Sequence, residues 1–168
     1  VGASAPYQNT ADMRTRGWEA ALNWRDRIGK VSYSIGFNLT DNQSEITKYD
    51  ANTSKILTDS NGRALFYKGQ QLGEIWGYVA DGFYTVNDFE STSTWKLNDG
   101  IARLDGYNPR PGDLKFKNLR DDERGNNVIS SGDNTADNPG DRKIIGNNTP
   151  RYLYGINLGG SYAGFDLN

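Results

Sequence analysis

A strict alternation of apolar and polar residues, "KVSYSIGFNLTDN" from Lys30 to Asn42, constrains the fold of this chain more than any other feature. The apolar side chains occupy the odd-numbered positions Val31, Tyr33, Ile35, Phe37 and Leu39. A period of two places successive side chains on opposite faces of a β-strand, whereas an amphipathic helix repeats about every 3.6 residues. The stretch therefore predicts a strand with one apolar face, and that face meets either the core of a soluble sheet or lipid.

The same alternation in two other stretches predicts further strands. In "GWEAALNWRDR", the residues Trp18, Ala20, Leu22 and Trp24 share one face, and "RDRIGK" follows as a turn, which predicts a hairpin over residues 14–40. Residues 151–168 return to alternation at Tyr152, turn at "YAGFD" and start another strand. These patterns predict an all-β fold of antiparallel strands.

Residues 41–150, between these strands, lack any sustained period. They are rich in Gly, Asn and Asp and contain turn signals such as "NPRPGD", in which proline presets φ and glycine permits a positive φ. The best position for a short helical turn is "TVNDFEST". We predict a long loop region over residues 41–150.

Composition excludes several classes of function. The chain has no Cys and no His, which removes disulfides, thiolate zinc sites and any catalysis that relies on histidine. Lys and Arg total 19 against 21 Asp and Glu, so no basic excess is available to bind nucleic acid. No apolar run is long enough for a transmembrane helix. The opening "VGASAPYQNT" does not look like a signal peptide, so the chain is either cytosolic or a piece of a longer protein.

The polar face of the predicted strands bears on the choice between core and lipid. It carries Ser, Gly and Asn and no charge between Val31 and Thr40, which suits a crowded polar interior better than bulk water. Each strand is about ten residues long, Trp and Tyr lie near the strand ends, and short turns at one end contrast with the long loop region at the other. All three features are typical of outer-membrane barrels, although the signal of each strand is weak. The pattern alone leaves lipid and core open.

Four stretches in order carry a resemblance to a known family. They are "RTRGWEAALNWRDRIGKVSYSIGFNLTDNQSEI", "GEIWGYVADGFY", "PGDLKFKN" and "DRKIIGNNTPRYLYGINLGGSYAGFDL". Together they resemble the SusC/RagA-like TonB-dependent outer-membrane transporters of Bacteroidetes, over nearly the whole chain. The resemblance implies that residues 1–168 belong to the C-terminal half of a transmembrane barrel of roughly 22 strands around a plug, which this chain cannot close alone.

The resemblance also implies a function and its partners. Transporters of this family import glycans or peptides across the outer membrane, with a SusD-like surface lipoprotein as a lid. TonB delivers the energy, here through parts of the protein that this chain does not contain. We therefore expect the strands to contact outer-membrane lipid and the loops to be extracellular.

Aromatic residues in the loop region are candidates for ligand contact. Aromatic rings stack on sugars, and the neighbouring Asn and Asp side chains can bond hydroxyl groups. We select Trp95, Tyr84 and Tyr107 as ligand-binding candidates, with Trp95, in "STSTWKLND", as the best of them. The alternative is that these rings are small satellite cores that stiffen the loops.

The stretch "NLRDDERGNNVISSGDN" is a candidate calcium loop. Asp121, Asp122 and Asp133 could supply oxygen ligands, and transporters of the resembled family often carry a D-x-N-x-D-G-like run near this place. Here Arg120 puts a positive charge where a ligand belongs, and a solvated acidic loop is the alternative. Apart from this possible calcium ion, we expect no cofactor.

Two other functions are alternatives to transport. Carboxylate pairs such as Glu74 with Asp81 could suggest a glycoside hydrolase, but no apolar pocket that would raise one pKa is visible in the sequence, so we predict that the chain is not an enzyme. The alternative to a transporter is a soluble, β-rich carbohydrate-binding module whose apolar faces pack on each other.

Overall fold

The computed structural model describes residues 9–120 and 127–168. In these ranges the strands are β1 (Ala11–Ile28), β2 (Val31–Tyr49), β3 (Glu74–Gly77), β4 (Ala80–Phe83), β5 (Arg103–Leu104), β6 (Leu114–Phe116), β7 (Val128–Ile129), β8 (Lys143–Asn147), β9 (Tyr152–Tyr162) and β10 (Phe165–Leu167). One turn of 3-10 helix covers Val86–Asp88, inside the stretch expected to hold a short helix. The predicted all-β fold is confirmed, and the strands of the described ranges close no barrel.

The largest sheet contains four strands in the order β1-β2-β9-β10, and all neighbours are antiparallel. A tight turn joins β1 to β2, and Gly29 at this turn has a φ of 61°, which glycine adopts at little cost. β2 pairs with β1 along its whole length and with β9 from Val31 to Asp41.

The register gives this sheet two different faces, because directly paired residues point to the same side. Leu22, Phe37 and Ile156 form one cross-strand row, and Trp24, Ile35 and Leu158 form the next. We call this side the apolar face; its large side chains are Trp18, Leu22, Trp24, Ile28, Val31, Tyr33, Ile35, Phe37, Leu39, Tyr152, Tyr154, Ile156, Leu158 and Tyr162.

The opposite side, the polar face, is built mainly from small and uncharged residues where β2 and β9 pair, with Leu153 as an apolar exception. In one row, Gly36 lies between Asn23 and Asn157. A Cβ atom at Gly36 would stand 3.0 Å from Asn23 Oδ1 and 3.4 Å from Asn157 Cβ. Glycine therefore gives the two amides room to lie side by side on this face.

No large side chain of the apolar face is buried. Phe37 is 39% exposed, Ile156 62% and Tyr154 74%. In a freestanding soluble sandwich these side chains would pack against a second sheet, and no described residue covers them. The packing expected of a soluble carbohydrate-binding module is absent from the part of the chain that the structure describes.

The buried hydrophobic residues lie instead in the loop region, apart from Ile46, which belongs to the part of β2 that bonds to this region. They are Ile46, Leu57, Tyr67, Tyr84, Phe89 and Ile129. Three small two-stranded sheets organise this region: β3 with β8 and β4 with β6, both antiparallel, and β5 with β7, which is parallel. The loop region is therefore a compact structure with its own core.

The first hairpin is longer than the sequence indicated. It covers Ala11 to Tyr49 instead of residues 14–40, because β1 and β2 remain paired after the apolar alternation ends. Beyond Asp41, the other edge of β2 bonds to the loop region: Ile46 N donates to Gln70 O at 2.9 Å, and Leu72 N donates to Ser44 O at 2.8 Å. The loop region thus begins near residue 50, and it is joined to the sheet by backbone hydrogen bonds.

Among the described residues, no helix has the length and apolar character needed to span a bilayer.

Candidate functional site

A cleft of about 570 Å³ opens in the loop region beside Trp95. This volume is within the usual range of sites for small molecules. Its cationic side chains are Lys96, Arg103 and Arg110, and Asp99 is the one carboxylate among its described lining residues. The remaining lining residues are amide, hydroxyl and apolar ones: Thr94, Leu97, Asn98, Ile101, Asn108, Pro109, Asn127 and Val128.

Trp95 is held at this cleft by a turn of hydroxyl residues. Its backbone N–H donates to Ser91 O at 3.1 Å, and the Ser91 and Thr94 hydroxyl groups lie 2.9 Å apart. Trp95 has a φ of 52°, in the left-handed region that bulky residues rarely adopt, which costs about 1–2 kcal/mol. Such strain persists only where surrounding contacts enforce it, and it is concentrated at functional sites.

A second aromatic ring, that of Phe89, packs against the Trp95 indole and fixes its position. Phe89, which is 6% exposed, meets Trp95 edge-on with ring centroids 5.5 Å apart. Phe89 also contacts Tyr84, at a centroid distance of 6.1 Å. The three rings form a continuous path from the core of the loop region to the cleft, so the Trp95 ring is pre-positioned for stacking.

Tyr84 is part of the core beneath this cleft. It is 3% exposed, and its hydroxyl group donates to Ala102 O at 2.6 Å. Burial raises the pKa of this phenol, because ionisation away from water is disfavoured. The Tyr84 ring has no face open to a ligand, so the structure gives it the packing role that was the alternative.

Tyr107 stands beside the cleft without lining it. It is 45% exposed, and its hydroxyl group donates to Asp113 Oδ2 at 2.8 Å. Hydrogen bonds from the Arg110 backbone N–H and from Tyr107 hold the pKa of Asp113 below its usual value. The next residue, Asn108, does line the cleft and accepts a hydrogen bond from Arg103 at 2.6 Å. Of the three aromatic candidates, only Trp95 is therefore placed to contact a ligand in the cleft.

One structural carboxylate escaped the sequence analysis. Asp141 is fully buried, and its side chain accepts hydrogen bonds from the backbone N–H groups of Leu119 at 2.6 Å, Arg120 at 2.8 Å and Ser130 at 2.8 Å. It thereby joins the chain after β6 to β7 and to the start of β8. No periodicity or local motif marks this residue, because its donors are far from it in sequence.

Of the three calcium candidates, only Asp133 is among the residues that the structure describes. Asp121 and Asp122 lie outside the described residues. Asp133 is exposed and accepts a hydrogen bond from Asn138 at 2.8 Å. In the two described ranges, no three acidic residues gather as a metal site would require. Calcium binding stays a prediction.

An ion pair marks the place where the sheet meets the loop region. Arg151 Nε lies 2.8 Å from Asp41 Oδ1 and Arg151 Nη2 lies 3.1 Å from Asp41 Oδ2, a two-point contact that fixes the guanidinium orientation. The same guanidinium group lies over the Tyr152 ring at 4.9 Å. Trp18, Asp41 and Tyr152 form the last cross-strand row at this end of the apolar face.

Comparison with known proteins adds a second line of evidence. No family model matches the chain. A protein of Formosa agariphila named TonB-dependent receptor P3 is 28% identical over 174 residues, covering 99% of this chain and 15% of the relative. A second protein of that organism, TonB-dependent receptor P39, is 27% identical over 185 residues, covering 98% of this chain and 17% of the relative.

The chain is similar to a segment of these TonB-dependent receptors. It spans roughly one sixth of the length of these relatives. In such a segment, an exposed apolar face is explained by the position of the sheet in a larger barrel wall. The Trp95 cleft lies in the loop region, away from the paired rows of the sheet.

Proposed function

We propose that this chain is part of an outer-membrane TonB-dependent nutrient importer, with β1, β2, β9 and β10 forming a sector of the barrel wall. The single observation that carries the proposal is the two-faced sheet: an uncovered and mainly apolar face, with Asp26 and Asp41 near its two ends, lies opposite a face of mainly small polar residues where β2 and β9 pair. Barrels in the outer membrane alternate in this way, with apolar residues toward lipid and polar residues toward the lumen.

The height of the apolar face supports this placement. Ten residue steps separate Val31 from Asp41, and both rows end with an aromatic residue of β9, Tyr162 and Tyr152. At about 3.3 Å per residue this distance is about 33 Å along the strand, and a tilt of about 40° reduces it to about 25 Å along the membrane normal, the height of the apolar band of such barrels.

The orientation follows from the asymmetry of the connections. The turn between β1 and β2 at Gly29 is short, whereas the opposite end of the sheet carries the whole loop region. Outer-membrane barrels have short periplasmic turns and long extracellular loops. The loop region, including the Trp95 cleft, is then on the cell surface.

A labelling experiment on the complete transporter tests this orientation. One small epitope is inserted at the exposed turn at Gly62, and a matched epitope is inserted at Gly29 in a second variant. We expect an antibody to label the first variant on intact cells and the second only after permeabilisation. The reverse result, or recovery of the transporter outside the outer-membrane fraction, would refute the proposed placement.

The substrate class that the loop region fits best is an oligosaccharide or a peptide, captured together with a SusD-like lipoprotein that covers the loops. A braced indole, three cationic side chains and several amides in one cleft can stack on a ring and bond polar groups. In the complete transporter, Trp95→Ala should reduce substrate affinity, and Phe83→Ala, which removes an exposed ring outside the cleft, is the matched control. Equal uptake and equal affinity in the two variants would remove Trp95 from the site.

A further inference from the structure

The apolar face does not end in neutral residues at its loop end. Beyond Trp18, the next positions of β1 on the same side are Arg16 and Arg14, paired with Gln43 and Glu45 of β2. The side chains of the intervening residues Gly17 and Thr15 belong to the opposite face. Two guanidinium groups therefore follow the last aromatic row on the lipid-facing side.

These arginines have little compensation from the protein. Arg14 reaches Glu45 only at 3.5 Å, and half of its side chain is exposed. The Arg16 side chain is exposed and makes no hydrogen bond or ion pair with any residue in the described ranges. The nearby Asp41 carboxylate is already occupied by Arg151. Among the described residues, the Glu45 carboxylate is therefore the one acidic partner of these two guanidinium groups, and its contact with Arg14 is weak.

Their depth matches the level of lipid headgroups. Arg16 and Arg14 lie two and four residues beyond Trp18, about 7 and 13 Å along the strand. With a tilt of about 40°, these distances become about 5 and 10 Å above the apolar band. The polar headgroup layer extends about 5–8 Å beyond the hydrocarbon core on each side. The Arg16 position lies within this layer, and the Arg14 position lies about 2–5 Å above it, so the long Arg14 side chain must bend back toward the membrane to reach the lipid phosphates.

We propose that Arg14 and Arg16 form a binding site for the phosphate group of a membrane lipid. Guanidinium groups bind phosphate oxygens in a two-point geometry, and the arrangement of an apolar strand, an aromatic row and then two arginines matches acyl chains, interface and phosphate in order. The site rests on the proposed membrane placement. Its occupant is a lipid headgroup, because the arginines continue the surface that contacts the acyl chains.

The test uses the complete transporter purified in a neutral detergent, with thermal unfolding followed against added lipid. Phosphatidic acid is the probe, phosphatidylcholine is the zwitterionic control, and inorganic phosphate tests for a free-anion site. Near an anionic lipid surface, each arginine increases the binding affinity about fivefold. We therefore expect the double variant Arg14→Gln, Arg16→Gln to weaken the apparent affinity for phosphatidic acid at least about fivefold.

The matched control is Arg25→Gln, Arg27→Gln, on the opposite face and near the other end of the hairpin. This pair should leave the affinity for phosphatidic acid unchanged. Equal binding of phosphatidic acid by the wild type and the Arg14, Arg16 variant would overturn the proposal, and so would competition by inorganic phosphate at the concentration at which the lipid binds. Epitope labelling of the Arg14, Arg16 variant keeps the two proposals separate: a transporter that inserts normally but ignores the lipid phosphate refutes only the lipid site.

Discussion

Replacing Ile156 with arginine in the complete transporter tests the lipid-facing assignment most directly. Ile156 is 62% exposed and lies in the row with Leu22 and Phe37, near the middle of the apolar face. An exposed surface position of a soluble protein tolerates such a change within about 0.5 kcal/mol. A position at the centre of a bilayer should lose about 2–4 kcal/mol, because the guanidinium group must enter hydrocarbon. The two environments therefore predict costs that differ severalfold.

The adjacent residue supplies the matched control. Asn157 is also exposed, belongs to the same strand and lies on the polar face beside Gly36. Asn157→Arg adds the same charge at the same height but directs it toward the lumen. A second comparison, Val31→Arg, places the charge at the turn end of the apolar face, where the cost should fall to about 0–1 kcal/mol. A lipid-facing sheet thus predicts dependence on both face and depth.

The assay is equilibrium unfolding of the complete transporter in lipid vesicles by guanidinium chloride, followed by tryptophan fluorescence. The free energies of the three variants are compared with that of the wild type at one lipid composition. We expect Ile156→Arg to be the most destabilised and Asn157→Arg to stay close to the wild type. Equal costs for Ile156→Arg and Asn157→Arg, or a cost below about 0.5 kcal/mol for the former, would show that this face does not meet lipid.

Three further predictions concern the loop region of the complete transporter. Trp95→Ala should weaken ligand binding without lowering the stability of the loop region. Tyr84→Phe, which removes one buried hydroxyl, should cost about 1 kcal/mol of loop stability and leave ligand affinity unchanged. Ligand titration measures the first effect, and limited proteolysis measures the second. Asp141→Asn should cost about 2–4 kcal/mol, because three backbone N–H groups lose a charged acceptor, and proteolysis of the loop region should accelerate. Hydrogen bonds from Thr85 first, and then from Lys115, lower the pKa of Asp88. The stabilising effect of its carboxylate is therefore present above pH 3.8 and is lost as the pH falls further. Asp88→Asn should remove this pH dependence from the protection of the loop region against proteolysis, measured between pH 2 and 5.

The sequence predicted the alternating part of the hairpin well, because one face of it is apolar. Alternation is visible only while the two faces meet different surroundings. Beyond Asp41 most residues on both faces are polar, as the pair Thr15 and Ser44 illustrates, with hydroxyl groups 2.7 Å apart. Strand pairing continues there to Tyr49 although the period has disappeared. The difference between the predicted and observed hairpins therefore reflects a change of surroundings along continuous strands.

The loop region could not be predicted to the same depth, because its contacts join residues far apart in the chain. Asp141 bonds Leu119, and the bridge between Ile56 and Thr135 closes an even longer interval. The same limit applies to the aromatic candidates. Phe89 contacts both Tyr84 and Trp95, and the local sequence does not show that Tyr84 is 3% exposed in the loop core whereas Trp95 lines the cleft.

The separation of core and apolar face explains how one chain serves two surroundings. Every buried hydrophobic residue of the described ranges lies between Ile46 and Ile129, outside the paired rows of the apolar face. The loop region is stabilised in water by its own burial and by bonds such as those of Asp141. The sheet has no such core, and a contiguous apolar surface of this kind is unfavourable in water. In the proposed barrel wall its stability would come from neighbouring strands and from lipid, and a substitution on the apolar face is then expected to cost little in water and more in a bilayer.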